Sequence, residues 1–288
     1  LYCPSNPVRT SSSDLGLHGN AQGILCRLAD LRGTSGRFID GFLSAKAALE
    51  AEPECDRAKI AYAYQLVSAG DIANARKLLL EVHKKSPENE RAVLILGQLA
   101  IRDNSLGEAK GYLANIPAKS KWNEEANALR AELLMRSKDA KDQNSAKELL
   151  ATVIKVYPNH VRANTLLGEI ELEKKDPMKA MEHFSKAMTN SEPSYDVLIG
   201  IARAQKELKN PNAAKLIASA ESYSKTVDKL YLARQSYVTD QTDKRKLIGL
   251  ASISLQMGFQ QDAQDLVNQV LKMDPNDIEA LKMLAPMK

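Results

Sequence analysis

Residues 56–89 read DRAKIAYAYQLVSAGDIANARKLLLEVHKKSPEN, and residues 90–123 read ERAVLILGQLAIRDNSLGEAKGYLANIPAKSKWN. Laid over one another, the two stretches put Ala63 on Gly97 and Ala75 on Ala109. Continued in both directions, the first small-residue register runs Ala29, Ala63, Gly97, Ala131, Gly168, Ala202, Ala251, in steps of 34, 34, 34, 37, 34 and 49. The second runs Gly41, Ala75, Ala109, Ala146, Ala180, Ala214, Ala263, twelve residues behind the first except where an insertion intervenes. Self-similarity at such a period marks a repeat architecture. Between the two registers lies a break, such as Ser68-Ala69-Gly70-Asp71, Asp103-Asn104, Lys175-Asp176-Pro177, Lys209-Asn210-Pro211 or Met257-Gly258. A second break, usually with proline, closes each unit, as at Pro53, Pro87, Pro158, Pro193 and Pro275. These residues end helices and make short turns. Between breaks, small or apolar residues such as Ala75, Leu78, Leu79 and Val82 fall at i, i+3, i+4 and i+7, the stripe of an amphipathic helix. Helix, turn, helix, turn is the expectation, with no strand.

This pattern resembles the tetratricopeptide repeat, with its 34-residue unit, a small residue in the middle of the first helix, alanine early in the second and proline at the end. The likeness covers residues 22 to 288 and implies an all-α, right-handed superhelical solenoid of about seven repeats plus a terminal helix. The units are 22–55, 56–89, 90–123, 124–160, 161–194, 195–228 and 244–277. The domain reading is an extended tail over 1–21, repeats one to six over 22–228, a helical insertion over 229–243, and repeat seven with the terminal helix over 244–288. The tail is rich in Ser, Pro, Gly and Asn and has no period. In the insertion, Val227, Leu230, Tyr231, Arg234, Tyr237 and Val238 keep helical spacing, so the surplus lengthens one or two helices. The fourth unit carries three extra residues, placed in its inner turn around Ala140-Lys141-Asp142. The aromatic common in the family's first helix is replaced by Arg32, Leu66, Ala100, Leu134, Glu171, Gln205 and Ser254.

The resemblance implies a concave wall formed by the first helices, where such repeats bind partners. Carried over position by position, its contact candidates are Arg57, Tyr64, Arg91, Gln98, Arg102, Arg136, Arg162 and Arg203. Arg57, Arg91, Arg162 and Arg245 share one position in their units. Each either pairs with carboxylates of a bound segment or bridges to an acidic residue of a neighbouring unit. Tyr64 is either an interface ring or a core one. The clamp that family cochaperones use to hold a chaperone's C-terminal tail, with paired lysines and asparagines, is absent: Cys26, Ile60, Tyr64, Leu94 and Gln98 stand at its sites.

Composition narrows the function. With 40 basic and 36 acidic residues interspersed and a net charge of +4, there is no basic block of the kind nucleic acid requires. The longest apolar run, residues 92–96, falls far short of the roughly 20 residues of a membrane helix. No metalloprotease, nucleophile-elbow, phosphate-loop or dinucleotide motif occurs, so neither an enzyme nor a cofactor is expected. His83, His160 and His183 read as ordinary structure, and the three cysteines form no zinc pattern, so no metal is expected.

The cysteines bear on compartment. Antiparallel packing of the first helix pair brings Cys26 near Cys55, and a disulfide closing that hairpin would add about 2–4 kcal/mol and imply an oxidising compartment. The alternative is two reduced thiols. Cys3, followed by the polar run from Pro4 to Ser13, is a lipidation candidate, although Leu1-Tyr2 matches the residues normally preceding such a cysteine poorly. The sequence therefore points to a non-catalytic scaffold binding a protein or peptide, in bacterial envelope, pilus, secretion or exopolysaccharide assembly. Its expected place is the periplasm or the periplasmic face of the outer membrane, with the cytoplasm as alternative. A second reading is a constitutive structural subunit that uses its outer face and the apolar end around Leu281 and Leu284. Oligomeric state is not set by the sequence.

Overall fold

Helical segments rich in Ala, Leu, Lys and Glu alternate with short breaks, and the computed structural model, which describes residues 37–137, 139–189 and 194–287, turns each segment into a helix. In order they are α1 (Phe38–Ala51), α2 (Asp56–Ser68), α3 (Ile72–Lys85), α4 (Glu90–Arg102), α5 (Leu106–Ala114), α6 (Asn123–Met135), α7 (Ala140–Val156), α8 (Val161–Glu173), α9 (Pro177–Met188), α10 (Tyr195–Glu207), α11 (Ala213–Thr239), α12 (Lys244–Gln256), α13 (Gln260–Met273) and α14 (Ile278–Leu284). A 3₁₀ turn, Ala285–Met287, follows, and no strand occurs among the described residues. The tail and the first helix of the first repeat lie outside them, together with Cys3 and Cys26.

The even helices from α2 to α12 are the first helices of their repeats, and each is 13 residues long. Five of the six stop in the same way. Gly70, Asn104, Lys175, Lys209 and Gly258 all adopt left-handed φ, between 58° and 84°. The next residue's N–H then reaches five residues back: Asp71 to Leu66 O, Ser105 to Ala100 O, Asp176 to Glu171 O, Asn210 to Gln205 O and Phe259 to Ser254 O, at 2.8–2.9 Å. That is a Schellman ending, which satisfies carbonyls the helix leaves open. Starts are fixed by side-chain caps: Asn89 accepts from Ala92 N, Asp176 from Lys179 N, Ser194 from Val197 N and Asp277 from Ala280 N.

Second helices vary where the sequence has insertions. The three extra residues of the fourth repeat lengthen α7 rather than the inner turn: Asp139 caps the helix and Ala140-Lys141-Asp142 form its first turn, giving 17 residues. Residues 229–239 lengthen a helix, as their spacing implies. They continue α11, a single helix of 27 residues.

Small residues do what their spacing requires. A Cβ added to Gly97 would lie 2.9 Å from Leu113 Cδ2, and one on Gly168 2.6 Å from Phe184 Cε1. Ala75, Ala109, Ala146, Ala180 and Ala263 are fully buried at the matching contact from the second helix. In the sixth repeat the register slips: Ala214 is exposed and Ala213 buried. Here the turn Asn210-Pro211-Asn212 delays the helix, so α11 begins only at Ala213.

The described chain forms two compact units. One contains residues 83–224, and the other combines 37–82 with 225–287. In the first, consecutive helix pairs stack around clusters centred on Leu113 and Leu129, on Leu150 and Leu167, and on Phe184 and Val197. In the second, α1 packs on α2 and also on α13, which in turn packs on α12 and α14. Chain-terminal segments therefore share one core.

Candidate protein-binding wall

Within residues 83–224 the first helices α4, α6, α8 and α10 lie side by side, each in contact with the next. Their shared face carries six of the eight candidates. Arg102, at the end of α4, is exposed, and Arg91 and Gln98 are half-buried on the same helix. The other three arginines reach back to the preceding repeat. Arg136 donates to Asn104 Oδ1 at 3.1 Å, and Arg203 to Glu169 Oε2 at 2.7 Å. Arg162 pairs with Glu132 and, at 3.5 Å, with Glu125. Of the two readings open from sequence, the bridge to an acidic residue of a neighbouring repeat is realised at Arg162, and Arg203 repeats it, while Arg136 bridges to a neutral amide.

Glu125 sits at the centre of this ladder. It is buried, and His160 Nε2 lies 3.0 Å from its Oε2. Nδ1 of the same ring accepts from Ala163 N, so His160 caps α8 while facing a carboxylate of α6. Burial pushes Glu125 toward protonation, but His160 and Arg162 outweigh it and hold the carboxyl below the ordinary glutamate range. Asn164 extends the network: its amide donates to Pro158 O and His160 O, and its Oδ1 meets His183 Nδ1 at 3.1 Å. His160 and His183 are thus inter-helix structure. Sequence reading did not connect Glu125 to them, because the pair is 35 residues apart and the only signal was one repeat length.

In the other unit, Arg57 on α2 is exposed and Tyr64 half-buried, and Arg245 at the matching position of α12 is exposed. Cys55 stands at the N-cap of α2, half-buried and packed near Ala48 and Ala58, with no disulfide partner among the described residues; the pairing with Cys26 lies outside them. Among the described residues no group of three or more His, Cys, Asp or Glu side chains is placed to hold a metal, and no helix is long and apolar enough to cross a membrane.

Two family models, both described as tetratricopeptide repeat, match residues 66–133 and 140–194. Those two stretches of the chain are tetratricopeptide repeats. Such repeats generally form scaffolds for protein–protein interaction rather than active sites. Among solved structures, one from the APC/C hetero-tetramer Cut9-Hcn1 is similar over 95% of this chain, with a TM-score of 0.56 at 15% identity; this chain spans only 50% of its length. PilW, described as a widely conserved type IV pilus biogenesis factor, matches over 93% of this chain and 100% of its own, with a TM-score of 0.48 at 14% identity. Pseudomonas aeruginosa pilF matches over 92% and 97%, with a TM-score of 0.46 at 12% identity. At 15% identity the first of these speaks for the fold alone. No curated protein matches the sequence.

Proposed function

We propose that the chain is a non-catalytic scaffold that binds an extended or helical segment of a protein partner on the first-helix wall of residues 83–224. The observation that supports this reading is the continuous face of α4, α6, α8 and α10, with exposed and half-buried side chains framing it. Arg91, Gln98 and Arg102 on α4 are the contact residues, and Arg57 and Tyr64 offer the same chemistry on α2 of the other unit. Arg136, Arg162 and Arg203 contribute differently: they hold successive repeats in register, so the wall is preorganised before a partner arrives. Arginine suits carboxylate-bearing partners because its fork donates two parallel hydrogen bonds. We further place the scaffold in bacterial envelope assembly, in the periplasm or at the periplasmic face of the outer membrane. The cysteine pattern supports this placement, with Cys3 as the anchor and Cys26 and Cys55 as a bonded pair.

Partner capture from native extract tests the wall. Arg91→Glu/Arg102→Glu should lose a discrete set of proteins that wild type and Lys272→Glu both retain, at unchanged helicity. An unchanged set would overturn wall binding. A second reading, a constitutive subunit docked through its end, is favoured by one feature: Met273, Ile278 and Leu281 are exposed near the close of the described chain. Ile278→Lys/Leu281→Lys would then release the partners that the wall variant keeps.

A further inference from the structure

Helix α1 lacks a cap of its own: Arg37, at its N-cap, makes no side-chain hydrogen bond to the helix end. The cap comes from the far end of the sequence. Asp262 of α13 accepts from Phe38 N through Oδ2 and from Ile39 N through Oδ1, both at 3.1 Å. Arg234 of α11 lies over the Phe38 ring at 4.4 Å and near Phe259 at 5.5 Å. Its guanidinium stands 3.8 Å from Asp262 Oδ2 and 3.4 Å from Ser68 O. Tyr237, one turn on, is fully buried edge-on to Phe38 and Phe42, and Phe42 tilts against Tyr62. Lys46 Nζ adds a hydrogen bond to Gln241 Oε1 at 2.8 Å.

This contact is specific but poorly compensated. Asp262 is 2% exposed, and its nearest cation stands beyond hydrogen-bond distance. The Tyr237 hydroxyl is buried with no hydrogen-bond partner among the described residues, and burial pushes its pKa well up. Apolar and aromatic burial and the two capping hydrogen bonds hold the contact together, while the buried Asp262 charge and the unpaired Tyr237 hydroxyl oppose it. Such a balance suits a contact that opens.

We propose that α11 and α13 form a proton-gated clasp on α1, which on release uncovers the aromatic cluster of Phe38, Phe42, Tyr62 and Tyr237. The gate of the clasp is Asp262. Desolvation raises this carboxyl to about 6, against Arg234 and the two amide donors and with help from Asp265. The other charged or titratable groups around it are Arg37 and Asp40 at the start of α1, joined by an ion pair, and Tyr237 on α11. Arg37 also reaches Asp265, at 3.8 Å. In the released state Asp262 returns toward 3.8, so closing takes up a proton. Its contribution to closure is fully present below the lower value and is lost as pH rises through the higher. Between about pH 5 and about pH 7.5, the released population grows about tenfold.

Hydrogen–deuterium exchange on the full chain, with labelling times corrected for the intrinsic pH dependence, reads this directly. Peptides from α1 should exchange about tenfold faster at the higher pH, while peptides from α8 and α9 stay constant. Asp262→Asn, which keeps an acceptor but cannot ionise, should abolish the response, and Asp265→Asn should retain it. Exchange in α1 that is independent of pH in the wild type would overturn the proposal. So would an equal response in Asp262→Asn, or a parallel change in α8 and α9. If Asp262→Asn fails to fold, the wild-type series and Asp265→Asn still decide.

Discussion

Gly200→Ala sets two effects of opposite sign against each other. In an exposed helix interior this change stabilises by about 0.5–1 kcal/mol, because alanine loses less backbone entropy on folding. Gly200, inside α10, is buried, and a Cβ there would lie 2.4 Å from Cζ of Phe184 and 2.6 Å from Cε1. The ring cannot swing away freely. Gly168 meets its Cε1 edge from α8, and Phe184 is fully buried among Val161, Leu172 and Val197. Overpacking of this kind costs roughly 1–3 kcal/mol, so the net effect is a loss of about 0.5–2 kcal/mol. Urea unfolding followed by far-UV circular dichroism, read as midpoints, provides the measurement. Gly249→Ala in α12 is the control: it has open space around its Cβ and should gain the full helical preference. Phe184→Leu in the Gly200→Ala background should cost less than in wild type, with a coupling of roughly 0.5–3 kcal/mol. Movement of Gly200→Ala and Gly249→Ala in the same direction, or strict additivity with Phe184→Leu, would refute the close-approach argument.

The same reasoning yields further outcomes. Ala75→Leu, at a fully buried helix contact, should cost roughly 1–3 kcal/mol, whereas Arg102→Ala on the exposed wall should stay within about 0.5 kcal/mol; equal costs in thermal melts would refute the assignment of faces. Lys209→Gly should stabilise by about 1 kcal/mol, because lysine there holds φ at 58° where glycine carries no steric penalty, and a lower melting temperature would count against the Schellman reading. Glu125→Ala leaves the buried His160 without its carboxylate and Arg162 with Glu132 alone, and should cost about 1–3 kcal/mol. Glu125 also fixes a pH dependence. Its carboxyl is held below the ordinary value of 4.5, so its contribution is present above that value and lost as pH falls through the depressed one. Exchange protection in α6 and α8 should therefore fall below about pH 4.5, the opposite sense to α1.

How much of this was legible in the sequence depends on the range of the contact. The registers of small residues predicted the helix pairs, since Gly97 against Leu113 and Gly168 against Phe184 are contacts within one repeat, and a short period displays them. Termination was legible too, because Gly70 and Gly258 are residues that left-handed turns select. Lys175 and Lys209 occupy the same conformation without that signal, so only their place in the period revealed them. Arg162 was recognised as recurring, but its role was not, because a repeated arginine has the same spacing whether it faces a ligand or Glu132. Least legible was the contact of α1 with α13. Asp262 caps a helix 223 residues away, and a repeat pattern describes each unit's neighbours, never its return to the start. The surplus around Tyr231, Arg234 and Tyr237 was the one mark of it. A helix of 27 residues where the period calls for about half that length departs from the repeat, and its second half supplies the Arg234 and Tyr237 that hold α1. In a chain whose local rules are otherwise kept so evenly, that departure is where long-range structure was written.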